Sequence, residues 1–228
     1  LWKTPAKQRP ASQQWHLDVL EVYCEPDSQI TEQCRRLGLR AERFTIHDGD
    51  LSTSAGREAL WKTILEKKPK EIWMSPECKY WGNYSRRNMG RSISTANKIL
   101  DGREKQRVHL KLCNGVFLHQ MEVCGHFHLE QPQGSEAIDQ PEMKDIKDGT
   151  LCTVFDMCEV GKLLAPKIQR KTSGNNFLRK RTTVFTSSRL FHKAFDHRLC
   201  VGNHSHVPIA GKVFHLGRWI SLLEYAAR

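Results

Sequence analysis

The chain has 228 residues, of which 39% are hydrophobic and 27% charged. This is enough material for one packed domain with appendages, and the composition excludes collagen-like, coiled-coil and mostly disordered proteins. No apolar run approaches the ~18–20 residues of a membrane-spanning helix, so no membrane partner is expected.

The net charge of +11 lies entirely in the last third of the chain. Residues 1–159 contain 23 basic and 23 acidic side chains, whereas residues 160–228 contain 13 basic and 2 acidic ones. Within the neutral part, a basic stretch at 79–111 precedes an acidic stretch at 112–159. A polyanionic partner, a nucleic acid, explains this segregation better than the alternative of a solvated basic surface.

Strands and helices are predicted to alternate after an extended arm at residues 1–16. Apolar runs predict strands at 17–23, 40–46 and 71–75. The helix that starts at Gln29 should end near Gly38, and the next helix should be capped by Ser52 or Ser54. Pro69 should stop that second helix.

The second half of the chain is predicted to add one long loop, one long helix and three strands. The polar segment 79–97 is expected to be the loop and 98–123 the helix. Strands are predicted at 126–132, 151–155 and 182–186. The order predicts a doubly wound α/β sheet at 17–159, completed by a basic C-terminal region at 160–228, with ligands at the carboxyl ends of the strands.

Acidic or reactive side chains follow four of these strands. Cys78 comes directly after the third strand, where nearby cations such as Lys79, Arg86 and Arg87 would favour a nucleophilic thiolate. The alternative is a buried structural cysteine. The acidic residues at the strand ends are Glu21, Asp27, Asp48, Asp50 and Glu130.

The eight cysteines are too few and too irregularly spaced for a small secreted disulfide scaffold, which indicates a reducing intracellular compartment. Cys200, His204 and His206 nevertheless supply three zinc-type ligands within seven residues. A fourth ligand is expected from Cys158, His192 or His197. The alternative is a set of hydrogen-bonded loop histidines.

Five segments in order carry a resemblance to a known family: LDVLEVYCEPDSQIT, HDGDLST, IWMSPECKYWGNYSRRN, HFHLEQPQGSE and FLRKRTTVFTSS. This ordered set, which covers about residues 17–211, resembles the cytosine-C5 DNA methyltransferases. It is most similar to the divergent methyltransferase-like domains of protist mobile elements. The resemblance implies a Rossmann-like methyltransferase sheet, and those mobile-element domains have a similar Cys/His cluster.

The resemblance also implies roles for individual residues. Cys78 would attack C6 of an extruded cytosine, and Glu130 would bind the base edge and protonate N3. Asp48 and Asp50 would contact the ribose or adenine of S-adenosylmethionine, with Glu21 and Asp27 as further candidates. Lys180 and Arg181 occupy the position of a basic motif near the target phosphate.

Two departures from the family pattern argue against catalysis. The first loop, Tyr23 to Ser28, contains no glycine, although close approach of the backbone to S-adenosylmethionine requires one. Pro26 and Glu25 should narrow that pocket. Glu77 stands beside Cys78, and its charge should raise the pKa of the thiol. We therefore expect no useful affinity for S-adenosylmethionine.

The sequence thus predicts a catalytically degenerate methyltransferase-like protein that binds nucleic acid, RNA rather than DNA, or is structural. A ribonucleoprotein with other protein components is expected, such as a mitochondrial ribosome, and mitochondrial rather than nuclear localisation. The alternatives are an active cytosine-C5 methyltransferase on DNA or RNA and a mobile-element DNA-binding domain. The predicted nucleic-acid contacts are Arg86, Arg87, Arg91, Lys171, Arg179, Lys180 and Arg181.

Overall fold

The structure is a computed structural model that describes residues 14–162, 164–165, 176–207, 212–215 and 218–221. Most of the predicted N-terminal arm and the predicted contact Lys171 lie outside these residues. Within the described ranges, no helix combines the length and the apolar character that crossing a bilayer requires.

Six strands form one mixed sheet in the order β2-β1-β3-β4-β7-β5. They are β1 Leu17–Val22, β2 Ala41–Phe44, β3 Pro69–Met74, β4 His126–Pro132, β5 Leu151–Asp156 and β7 Arg181–Thr186. The first four strands pair in parallel. β7 is antiparallel both to β4 and to β5, so it is the one strand of this sheet that runs in the opposite direction.

This architecture confirms the α/β class and a mostly parallel sheet that is compatible with a Rossmann-like fold. The connections between the parallel strands carry helices, as parallel pairing requires. Those helices are α1 Gln29–Arg36, α2 Ser54–Lys67, α3 Asn83–Met89 and α4 Ile93–Glu122. All six predicted strands exist, and each end lies within two residues of its predicted position.

The prediction of a long loop at 79–97 was wrong, because that segment contains α3 and the start of α4. The Ser92 side chain accepts the Thr95 N–H at 3.1 Å, so α4 begins at Ile93 instead of residue 98. Ser85 is the one buried residue of α3, and a helix that buries so little shows no apolar periodicity in its sequence.

The N-cap of α2 also differs from the prediction. It is Thr53, whose side chain accepts the Gly56 N–H, and neither Ser52 nor Ser54 has that role. The helix ends before Pro69, as expected: its C-cap is Lys68 in the left-handed conformation (φ 44°), and Pro69 begins β3. Gly38 has the left-handed conformation expected after α1 (φ 78°).

The core lies between the sheet and α2 and α4. Leu20, Ile72 and Phe127 of three neighbouring strands are fully buried, as is Leu60 of α2. Trp81, in the loop after β3, is 1% exposed and has the Arg103 guanidinium over its ring. The loop after β3 is therefore anchored by a core residue.

The C-terminal third adds β7 to the sheet and forms small elements beside it. These are α7 Arg189–Phe195, the parallel pair β6 Phe177–Leu178 and β8 His206–Val207, and the antiparallel pair β9 Lys212–His215 and β10 Arg218–Ser221. Before them come two 3-10 helices, Glu136–Asp139 and Pro141–Met143, then α5 Lys144–Gly149 and α6 Met157–Val160. From the basic C-terminal region, β7 is the strand that lies between β4 and β5 in the sheet.

Candidate functional site

Cys78, Glu130 and Lys180 meet at the carboxyl edge of the sheet. The loop after β3 places Cys78, β4 carries Glu130, and Lys180 directly precedes β7. The Lys180 ammonium lies 2.9 Å from a Glu130 carboxylate oxygen. Three segments that are distant in sequence thus supply a thiol, a carboxylate and an amine to one corner.

The Cys78 thiol is held in its protonated form. Burial and the nearby Glu130 charge raise the pKa of Cys78 to about 11, although Lys180 opposes the shift. Glu77 adds to the rise as expected, but burial and Glu130 contribute more. The cation that acts on the thiol is Lys180, whereas Lys79, Arg86 and Arg87 were expected from the sequence.

Glu21, one of the predicted cofactor contacts, lies near the end of β1, and its carboxylate is occupied by the chain itself. Glu21 is 3% exposed, and its carboxylate accepts the Thr31 N–H and hydroxyl and the Ser28 hydroxyl. Arg43 donates to the carbonyl oxygens of Pro26 (2.6 Å) and Ser28 (2.7 Å) and so holds the same loop. These partners leave Glu21 no free carboxylate oxygen for a ribose.

The acids after β2 serve their own turns. Asp48 accepts the Thr45 N–H and hydroxyl at 2.7 and 2.8 Å, and Asp50 accepts the Ser52 N–H at 2.9 Å. The hydrogen bonds from Ser52 lower the pKa of Asp50. Such contacts are those of acidic residues in turns. The structure therefore gives Asp48 and Asp50 a structural use.

Tyr23 closes the end of β1 in a conformation that is rare for a residue with a side chain, with φ 62°. Its hydroxyl lies 3.0 Å from Nδ1 of His109 on α4. Burial raises the pKa of Tyr23 well above its usual value, so the hydroxyl stays protonated and can donate to the imidazole. Burial also lowers the pKa of His109, consistent with a neutral ring.

A cleft of about 840 Å³ lies between the N-terminal half of α4 and the loops after β2 and β3. Its walls include Glu77 and Asp101 beside Lys98 and Lys105, so it has no dominant charge. None of the predicted cofactor contacts lines it. Cys78, Glu130 and Lys180 do not line it either, although Glu77, the residue before Cys78, does.

The predicted basic contacts differ in how they are held. Arg181 makes two hydrogen bonds to Asp156, at 2.9 and 3.0 Å, and Asp156 is fully buried. Arg179 lies 3.5 Å from the same carboxylate. Although burial opposes ionisation, the Arg181 and Cys200 hydrogen bonds hold the pKa of Asp156 below its usual value. With Lys180 paired to Glu130, residues 179–181 are structural cations more than free ones.

The arginines of α3 and the turn after it are free of such partners. Arg86, Arg87 and Arg91 are exposed, and none of them takes part in an ion pair among the described residues. The α3 helix lies close to the Cys78 corner, because Asn83 donates to the carbonyl of Gln133, whose N–H donates to the carbonyl of Arg181.

Four side chains form a cluster that could hold a metal ion: Cys158, Cys200, His204 and His206. Their donor atoms all lie within 4.8 Å of one another. Nε2 of His206 lies 3.4 Å from the Cys158 sulfur and 3.5 Å from that of Cys200. The three predicted ligands thus come together, and Cys158 is the fourth.

The other two candidates for the fourth ligand have different neighbours. Nδ1 of His192 lies 2.9 Å from the Thr153 hydroxyl, and Nε2 of His197 lies 3.6 Å from Asp196. Asp156 was not identified from the sequence at all. Its importance depends on contacts with residues 25 and 44 positions away, Arg181 and Cys200, and no local pattern reveals such contacts.

Comparison with models of known protein families found no match, and a search of curated proteins found no relative either. What the chain does must therefore be inferred from its own side chains.

Proposed function

We propose that this chain is a catalytically degenerate methyltransferase-like protein that binds nucleic acid. The observation that carries the proposal is the convergence of Cys78, Glu130 and Lys180 at one corner of the sheet. These are the positions that the resemblance to cytosine-C5 methyltransferases would bring together around a target base. The unpaired arginines of α3 adjoin that corner and supply the attraction for a phosphate backbone.

Three features favour binding without methyl transfer. A nucleophilic cysteine must be a thiolate, and the Cys78 thiol, with a pKa of about 11, is almost fully protonated at neutral pH. Glu21 is saturated by Ser28 and Thr31 in the loop where the family binds S-adenosylmethionine. That loop also has no glycine, so its backbone cannot approach a cofactor closely.

The alternative is an active cytosine-C5 methyltransferase. The proximity of Cys78 and Glu130 favours it, because both groups would reach the same flipped base. Transfer of a labelled methyl group from S-adenosylmethionine to DNA or RNA would establish the enzyme and refute the degenerate assignment. RNA as the preferred nucleic acid, and a ribonucleoprotein such as a mitochondrial ribosome as the setting, remain predictions to be tested by what co-purifies.

Salt titration tests the nucleic-acid proposal directly. If about five cations contact phosphates, log affinity should fall with log salt with a slope of about −3.5 to −4.5, depending on whether the nucleic acid is single- or double-stranded. A fluorescent oligonucleotide and its duplex, measured by anisotropy over a range of potassium chloride concentrations, give that slope. Affinity that does not change with salt would refute the proposal.

We further propose that the Cys/His cluster binds zinc in a structural role. Tetrahedral zinc, with bonds of about 2.3 Å to sulfur and 2.0–2.1 Å to nitrogen, separates its sulfur and nitrogen ligands by about 3.5 Å. The sulfur–nitrogen distances from Cys200 to both histidines and from Cys158 to His206 are 3.4–3.5 Å. Four protein ligands with no open position are typical of a structural site.

The zinc proposal predicts about one equivalent of metal in the purified protein. Cys200→Ser should lower that content and the thermal stability, because binding energy at a structural site is folding energy. Cys152→Ser is the matched control, since Cys152 is an exposed cysteine outside the cluster. Elemental analysis that finds no zinc in a folded sample would contradict the proposal.

A further inference from the structure

The metal cluster is joined to the basic tripeptide 179–181 by the carboxylate of Asp156. Asp156 lies two residues before the ligand Cys158 and accepts the N–H of the ligand Cys200 at 2.9 Å. The same carboxylate accepts two hydrogen bonds from Arg181 and lies 3.5 Å from Arg179. One buried side chain therefore contacts both the ligand loop and the two arginines.

Backbone hydrogen bonds make the same connection. The N–H of Met157, the residue before Cys158, donates to the carbonyl of Lys180 at 2.9 Å. On the other side, the N–H of Phe177 donates to the carbonyl of Ser205, which stands between the two histidine ligands. Segments that carry metal ligands thus hold the chain at Phe177 and at Lys180, on the two sides of Arg179.

These segments also contact β5 and β7, but the elements that they form themselves are short. The α6 helix has four residues, and β6 and β8 have two residues each. Helices and strand pairs of this size are not stable alone in water. Leu178 is buried, but it is not one of the residues that form the main hydrophobic cluster of the described chain. An ion bound by Cys158 and by residues 200–206 would hold α6 and the ligand loop together on either side of the tripeptide.

We propose that metal binding controls residues 176–181 and 196–207 as a local unit, and so holds Lys180 against Glu130 at the Cys78 corner. With metal bound, Asp156 fixes Arg179 and Arg181, and the lysine between them is directed at the corner. Without metal, this unit opens while the rest of the sheet stays folded. The inference rests on the proposed metal site, and its consequence for binding rests on the proposed nucleic-acid function.

Hydrogen exchange on the full chain, with one equivalent of zinc and after stripping by a chelator, tests the inference. Peptides that cover 176–181 and 196–207 should exchange at least about tenfold faster without metal. Peptides from β1 should be unchanged. Equal protection in the two samples would overturn the proposal, and so would loss of protection throughout the sheet, since neither is a local opening.

Two variants distinguish the role of the Asp156 carboxylate from that of the four metal ligands. Asp156→Asn keeps all four ligands, so it should retain one equivalent of zinc and yet expose residues 176–181 to exchange. Unchanged protection there would refute the role of Asp156. Cys152→Ser should behave like the wild type, and a change in its exchange pattern equal to that of Cys200→Ser would overturn the assignment of the unit to the metal.

Binding to a fluorescent RNA oligonucleotide gives an independent measurement. We expect removal of zinc to cost one or two phosphate contacts at this corner. Affinity for the single-stranded RNA would then be about four- to fourteenfold weaker near 0.15 M salt than that of the zinc-loaded protein. If the zinc-loaded protein binds no RNA or DNA, the nucleic-acid function fails while the exchange data still decide the metal-controlled unit. If it binds equally well with and without metal, the effect of the unit on binding is refuted and the function stands.

Discussion

The arginines of α3 offer the sharpest test of where a nucleic acid would bind. We expect Arg86, Arg87 and Arg91 to contact phosphates, because they are exposed and without acidic partners among the described residues. Replacing all three by Ala removes three charges without disturbing an ion pair. Each lost phosphate contact reduces the salt slope by about 0.7 for a single strand and 0.9 for a duplex.

The triple variant should therefore flatten the slope by about 2 to 2.7. For a single strand, this corresponds to affinity roughly fiftyfold weaker near 0.15 M salt, if the two proteins converge near 1 M salt. Its melting temperature should stay close to that of the wild type, since exposed surface charges contribute little to stability. The assay is fluorescence anisotropy over a salt series, with a thermal melt of each protein.

Replacing residues 179–181 should have the opposite effect: a large loss of stability and a small change in the salt slope. Removing Arg179 and Arg181 leaves the fully buried carboxylate of Asp156 unpaired, and breaking a buried pair costs about 3–5 kcal/mol. From sequence alone, the Arg179, Lys180 and Arg181 triple was expected to flatten the slope by up to ~3. Since all three of these cations lie in ion pairs, we now expect a smaller change in slope and a melting temperature lower by roughly 10 °C.

A matched control variant removes three positive charges, as the α3 variant does, but at the opposite edge of the sheet. Lys62 and Lys67 of α2 and Lys70 of β3 are exposed and lie away from the carboxyl edge. Lys62 and Lys67 make exposed ion pairs with Glu66 and Glu42, whose loss should cost little stability. The triple Ala variant of the three lysines should keep most of the slope. The reasoning is refuted if this control loses as much affinity as the α3 variant, or if the α3 variant binds like the wild type.

Three further predictions concern the remaining sites. Calorimetry with S-adenosylmethionine should show no micromolar binding, and a micromolar dissociation constant would restore the enzyme. Cys78→Ser and Glu130→Gln should each change nucleic-acid affinity less than the α3 triple does, whereas a larger effect would indicate recognition of a flipped base. Stability should fall as the pH drops below about 6.5, because His109 has a lowered pKa and protonation removes the acceptor for Tyr23. Denaturant titrations at pH 7.5 and 5.5 should show a smaller loss for His109→Gln than for the exposed control His47→Gln, and equal losses would contradict this assignment.

The sheet was largely predictable from the sequence, because its strands are short apolar runs between turn signals. Leu17–Val22 and His126–Pro132 are examples in which local composition and burial agree. The α3 helix was missed for the reverse reason, since only Ser85 of its residues is buried. Helical periodicity in sequence depends on a buried face, and α3 has almost none.

The candidate sites were predicted unevenly. Cys200, His204 and His206 are close in sequence, so their spacing alone indicated a cluster, whereas Cys158 could be chosen as the fourth ligand only from tertiary contacts. The charges of residues 179–181 were visible, but their pairing with Glu130 and Asp156 was not. Composition gives the number of cations, and only the fold decides which of them are already neutralised.

The position of β7 has a consequence for how the chain assembles during synthesis. β5 has a strand partner only in β7 among the described strands, and β7 also covers the outer edge of β4. When residues 17–132 have left the ribosome, the four parallel strands can pair, but β5 emerges before its partner strand β7. It must wait for residues 181–186 to insert between it and β4. A chain interrupted near residue 160 would expose one unpaired edge on β4 and a solitary β5, both of which favour aggregation.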